Sequence, residues 1–322
     1  MPAYHNGVDT DRELFSRYIS RTRLVPAPSL GDQVYVKLES EQPTGSFKVR
    51  GALHALQKAL DALPDPRPPR FEVVASSTGN HGAAVAWAAA RLGVRATIFL
   101  PRHPNPVKRA NIVRQGADVV EHGRDLSEAF QAATDHVNRT GAFFLDDATY
   151  PEVPEGAATI SDEIVDQLPD VAAIYVPVGD TALIRGVAAR AKQLKPSIRI
   201  VGVQAEKAPA YYLSWRDGRV VTTNDADTIA DGLATRSPVE ANVNAIRTLV
   251  DEMRLVSEQA MLDGVRRLLL DEHLVAEPSA ASTVAAFSSA PSTGPAVLLI
   301  TGCNIPPDIL RRAITFGDLV GW

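Results

Sequence analysis

Lys48 closes the hexapeptide Pro43-Thr44-Gly45-Ser46-Phe47-Lys48, in which small residues let the backbone turn between an apolar run and a helical pattern. A lysine in the first turn of a helix sits in the positive field of unpaired N–H groups, which lowers its pKa and favours the neutral, nucleophilic amine. Such an amine can condense with an aldehyde. Spacing alone is also met by a solvated lysine at a helix start. A second junction, Ser76-Ser77-Thr78-Gly79-Asn80-His81-Gly82, stands between an apolar run and an alanine-rich helix over 83–92. Its hydroxyls, amide and successive N–H groups form a cradle for a carboxylate or phosphate, and its glycines allow close approach. A capping loop without a ligand has the same composition.

Two further junctions carry polar groups. Val178-Gly179-Asp180-Thr181-Ala182-Leu183 offers main-chain donors for a phosphate, with Gly179 as its one flexible residue. Thr301-Gly302-Cys303-Asn304 offers a hydroxyl and a thiol. Free cysteine is usually buried, and Cys303 reads as a small buried residue.

These segments must be held by alternating strands and helices. Short runs rich in Val, Ile, Leu and Phe at 34–38, 73–76, 96–100, 119–121, 142–145, 174–178, 198–203 and 297–301 predict strands buried on both faces. Leu53, Leu56, Leu60 and Leu63 after Ser46 share one helical face. Ser257 is placed to cap a helix burying Met261, Val265, Leu268 and Leu269. The alternation predicts an α/β fold whose parallel sheet is covered by helices. Four prolines between 64 and 70 exclude regular structure and mark a crossing between lobes, with a second near 146–154. The expected division is a large domain of 1–70 and 146–322, with an inserted small α/β domain of 71–145.

Composition narrows the function. The 322 residues are 45% hydrophobic and 22% charged, with net charge −5 and acids and bases interleaved, so neither nucleic acid nor anionic lipid is an expected partner. One cysteine excludes a disulfide within the chain. The polar N-terminus lacks a signal peptide's layout, and no apolar run reaches spanning length, so a cytoplasmic protein is expected.

The four junctions in this order, with VYVKLESEQPTGSFKVRGA, ASSTGNHGAAVAWAA, VPVGDTALIRG, TIADGLA, AEPSAAS and ITGCN, resemble the fold-type II pyridoxal-phosphate enzymes over nearly the whole chain. The branch resembled is that of threonine and serine dehydratases and serine racemase. The resemblance implies a two-lobed fold with pyridoxal 5'-phosphate joined as an imine to Lys48, which also moves the α-proton. It implies that Phe47 packs beside the cofactor ring and that Asn80 bonds the ring's phenolic oxygen. Ser77, Thr78, Gly79, Asn80 and His81 would bind the substrate carboxylate, His81 mainly through its backbone. Gly179, Asp180, Thr181, Ala182 and Leu183 would cradle the phosphate, and Thr301 would face the pyridine nitrogen. A hydroxyl there does not hold that nitrogen protonated, which suits elimination better than transamination. The substrate's 3-hydroxyl would leave protonated by the cofactor phosphate, giving a 2-oxo acid and ammonia. A homodimer is implied, and no feedback domain is expected after Trp322.

Departures from the pattern carry expectations of their own. Relatives have a phosphate loop nearly all of glycine. Asp180 in its place is repulsive to phosphate unless its side chain turns away or caps the helix, so looser cofactor binding is expected. Thr78 stands where racemases place a serine, and its methyl restricts χ1, which makes racemisation secondary although the hydroxyl can act. Gln204, Ala208 and Ala210 stand where relatives bind a divalent cation, and one amide without a carboxylate predicts no metal there. Gly156-Ala157-Ala158-Thr159 replaces a Gly-Gln-Gly-Thr segment, which points to a reshaped pocket and a bulkier substrate such as phenylserine. Alternatives are a β-replacement enzyme, a racemase and a non-catalytic relative.

Overall fold

The structure is a computed structural model that describes residues 16–64, 71–77, 79–104 and 106–315. Thr78 and most of the expected proline-rich crossing lie outside the described residues. In chain order the strands are β1 (Leu24–Pro26), β2 (Val34–Lys37), β3 (Glu72–Ser76), β4 (Arg95–Leu100), β5 (Asp118–Glu121), β6 (Phe143–Phe144), β7 (Ala173–Pro177), β8 (Arg199–Ala205), β9 (Glu252–Val256) and β10 (Ala296–Leu299). The helices used below are α1 (Lys48–Asp61), α2 (Asn80–Leu92), α3 (Pro106–Arg114), α4 (Leu126–Thr140), α5 (Glu152–Gln167), α6 (Ala182–Leu194), α7 (Ala210–Asp217), α8 (Glu240–Leu249), α9 (Glu258–Leu270) and α10 (Pro278–Ser289).

Packing divides the chain into two compact units, Met1–Arg21 with Gln42–Gly156 and Thr22–Glu41 with Ala157–Trp322. The first unit holds a four-stranded parallel sheet in the order β5-β4-β3-β6. The second holds a six-stranded sheet in the order β1-β2-β10-β7-β8-β9, parallel except for β1 against β2. This division differs from the expected one. Residues 16–21, 42–64 and 146–156, assigned from sequence to the large domain, group with the small sheet, and α1 packs along α2.

Strand burial follows the sequence pattern. Every residue of β7 and of β10 is buried, as a sheet covered on both faces requires. The two strands not anticipated, β1 and β9, are the edges of the larger sheet. Edge strands tolerate charge, and Glu252 and Arg254 in β9 broke the apolar signal that marks central strands. Ser257 caps α9 as expected, its side chain accepting from the Ala260 N–H at 3.1 Å. Met261, Val265 and Leu268 are buried beneath it, while Leu269 is half-buried.

Helix α1 is buried nearly all round over its first two turns, and Leu53, Leu56 and Leu60 are enclosed. Each such leucine contributes roughly 1.5–3 kcal/mol on burial. The start of α5 crosses this helix at two glycines. A Cβ on Gly156 would collide with the Arg50 carbonyl, and one on Gly51 would lie 2.7 Å from Val153 Cγ1. His54 Nε2 meets Glu155 Oε2 at 2.9 Å beside the crossing. Gly156, read from sequence as part of a reshaped pocket, is thus a helix-crossing residue that fixes the turn bearing Lys48. Gly156→Ala is expected to cost about 1–3 kcal/mol through overpacking, measured by urea denaturation.

Candidate active site

Lys48 is the first residue of α1. The turn before it needs Gly45, whose φ of +72° lies in the left-handed region. The amine lies 5.2 Å from the centre of the Phe47 ring. Ser46 Oγ, one residue further back, is buried without a hydrogen-bond partner among the described residues.

Lys48 Nζ donates to Asp147 Oδ2 in a close ion pair. Asp147 follows β6, and only 14% of its side chain is exposed. Burial pushes its carboxyl up, but the Lys48 ammonium and then His81 outweigh that effect and hold it well below the usual carboxylate range. The field at the helix start therefore does not act alone on Lys48. It favours the neutral amine, whereas the Asp147 carboxylate favours the ammonium.

His81 is buried in the first turn of α2, and Nε2 lies 2.9 Å from the Leu145 carbonyl. A carbonyl accepts only, so Nε2 must carry a proton. That leaves Nδ1 toward Asp147, 3.9 Å from Oδ2. The side chain of His81, for which mainly a main-chain role was expected, thus lies beside the Lys48–Asp147 pair. Asn80 opens α2 and is half-buried. Ser77 Oγ accepts from the Gly79 N–H at 3.3 Å, while Gly82 packs on Ile98, Ser77 and Ile112.

A second cation stands at this loop. Lys108 of α3 has its Nζ 3.5 Å from the point where a Cβ on Gly79 would sit. Neither Lys108 nor Asp147 was found from sequence. The available signal was an acidic pair, Asp146-Asp147, directly after an apolar strand, where loop residues gather at the carboxyl edge of a parallel sheet. Lys108 lay within a helix with no pattern to single it out.

In the second unit, Gly179 follows β7 and lies against the main chain of Gly232, where a Cβ would strike the carbonyl. The Gly232 N–H donates to Ser279 Oγ at 3.1 Å. Glu258 holds the same segment through Thr228 Oγ1 and the Ile229 N–H, each at 2.7 Å. Asp180 Oδ1 accepts from Thr235 Oγ1 at 3.0 Å, and its carbonyl accepts from Asn242 Nδ2 at 3.4 Å. Thr181 has φ +71°, an αL conformation rare outside glycine and asparagine. Its hydroxyl accepts from Arg185 Nε at 3.2 Å, and Thr181 itself makes no side-chain cap at the α6 terminus that Ala182 and Leu183 begin. Thr301, buried, follows β10. Cys303, expected to be buried, is only half-buried; its Sγ lies 3.6 Å from the Ser40 carbonyl, and partial burial pushes the thiol up. Gln204 is buried, its carbonyl oxygen accepting from the Tyr212 N–H at 2.9 Å.

The sequence profile of the family described as "Pyridoxal-phosphate dependent enzyme" matches residues 15–302. The chain belongs to this family. Among pyridoxal-phosphate relatives it is similar to the L-threonine ammonia-lyase of Thermotoga maritima, 37% identical over 289 residues, which are 89% of this chain and 71% of the relative. It is likewise similar to the catabolic L-threonine dehydratase of Escherichia coli, 32% identical over 291 residues, with 89% of this chain and 87% of that protein covered. The structure of maize serine racemase superposes with a TM-score of 0.86 at 28% identity, covering 95% of each chain.

The residues present fit pyridoxal phosphate. In the first unit Lys48 supplies an amine, and in the second, considered by itself, the start of α6 presents main-chain donors of the kind a phosphate takes. Among the described residues no helix is long and apolar enough to cross a membrane.

The Asp147 carboxyl is lowered on folding, so its stabilisation is complete above the unfolded value of about 3.9 and is lost as pH falls through the lower folded value. Cofactor-free wild type is expected to exceed Asp147→Asn in stability at pH 7, the gap closing below about pH 4. Urea midpoints at several pH values check this.

Proposed function

We propose that the protein is a lyase that removes water and then ammonia from a 3-hydroxy amino acid, leaving a 2-oxo acid. The observation that carries this reading is the placing of Lys48 at a helix start in the same unit as the loop around Gly79. It is supported by likeness to ammonia-lyases and dehydratases over most of the chain. When bound, pyridoxal phosphate supplies an aldehyde for amines and a ring that withdraws electrons from the substrate α-carbon.

Lys48 Nζ would hold that aldehyde and, when free, would take the substrate α-proton. Phe47, Asn80 and Thr301 would hold the ring, Asn80 through its phenolic oxygen and Thr301 at its nitrogen. Ser77, Thr78, Gly79, Asn80 and His81 hold the substrate carboxylate, and Lys108 adds a positive charge to that loop. Residues 179–183 hold the phosphate through main-chain donors at the α6 terminus. Thr235 draws the Asp180 carboxylate into a hydrogen bond, so that its charge is partly satisfied away from the anion.

A serine- or threonine-like compound is the proposed substrate, with phenylserine as the bulkier case. Racemisation is the second reading, favoured by the likeness to maize serine racemase, with Thr78 as the second proton donor. We place the protein in the cytoplasm as a homodimer, which light scattering tests.

Release of 2-oxo acid from serine, threonine, 3-hydroxyaspartate and phenylserine is the deciding assay. Lys48→Ala is expected to lose at least a thousandfold in turnover, and full activity in that variant overturns the reading. Thr235→Val is expected to weaken cofactor retention about tenfold in equilibrium dialysis, since it leaves the Asp180 charge facing the phosphate donors uncompensated.

A further inference from the structure

We infer that Asp147 is a positioning residue for the Lys48 amine, holding Nζ in place as an ammonium and setting the pH at which it becomes free to condense with an aldehyde. The inference rests on the reading of Lys48 given above and adds a residue that reading does not use.

Three observations converge. The Asp147 carboxylate accepts directly from Lys48 Nζ, in a place where both side chains are mostly screened from water, 21% and 14% exposed. An opposite charge at such range favours the ammonium. The Asp147 carboxylate also lies 3.9 Å from His81 Nδ1, on a ring fixed by the Leu145 carbonyl. Titratable groups on the surrounding elements are otherwise committed. Asp146 accepts from Thr149 Oγ1 at 2.6 Å, His54 pairs with Glu155, and the Lys108 ammonium stands at Gly79.

The chemical consequence is a gate on one proton. The Lys48 ammonium must release a proton to Asp147 or to solvent before its lone pair can attack. A C–N bond then forms to the aldehyde carbon, and the carbonyl oxygen departs as water. Each time the amine is set free again, the Asp147 carboxylate is in place to receive it.

The test uses full-length protein freed of cofactor by dialysis. Pyridoxal phosphate is added across a pH series, its condensation is followed by absorbance, and the adduct is fixed with borohydride and mapped by peptide mass. In wild type the adduct is expected on residue 48. A map elsewhere overturns the Lys48 reading and this inference with it. With the adduct on Lys48, Asp147→Asn is expected to move the midpoint of the pH profile down by at least one unit, and Asp147→Glu to restore it. Superposed wild-type and Asp147→Asn profiles overturn the role of Asp147 while leaving Lys48 in place. A measurement without variants stands beside these. A carbodiimide is expected to join Lys48 Nζ to the Asp147 carboxyl as an amide with loss of one water, and prior loading with pyridoxal phosphate is expected to prevent it. Absence of that cross-linked peptide pair overturns the inference even where the variants fail to fold.

Discussion

The Lys48 ammonium and the Asp147 carboxylate face each other where water is scarce, and the rest of the first unit is organised about keeping them there. Charges so placed attract more strongly than in bulk water, yet each has given up hydration to arrive. The pair persists only where the backbone holds both ends. One end is held by the turn at Gly45 and by the glycine crossing of α1 with the start of α5. The other end sits on the turn after β6, a strand two residues long that pairs with β3. Small sheet and Lys48 are therefore mechanically one body.

The second unit solves a different electrostatic problem. A helix terminus that attracts anions carries an aspartate, which by itself would repel them. Thr235 engages that carboxylate, and Asn242 takes the main-chain carbonyl of the same residue. The loop keeps its shape without the glycines expected of it by placing Thr181 in the left-handed region, a strain on the order of 1–3 kcal/mol. Hydrogen bonds from Arg185 and from residues of the segment before α8 hold it there.

Much of this was legible beforehand, for reasons tied to local chemistry. The central strands declare themselves because a sheet covered on both faces admits few polar residues, and Ser257 declares a helix start because its hydroxyl can satisfy an unpaired N–H. Edge strands escaped notice because water permits charge on them. The division of the chain differs from the expected one at residues 16–21, 42–64 and 146–156, since a proline-rich stretch signals a break in regular structure but not which neighbour a helix will pack against.

By itself the sequence determined the α/β class, the family, the helix start at Lys48 and the loop that follows β3, because each depends on residues adjacent in the chain. Only the tertiary structure decided that Lys48 is paired with Asp147, ninety-nine positions away, that His81 turns its side chain to the same carboxylate, and that Lys108 stands over Gly79. A charge's effect depends on distance in space and on the water between. Neither quantity is written in the order of residues along a chain.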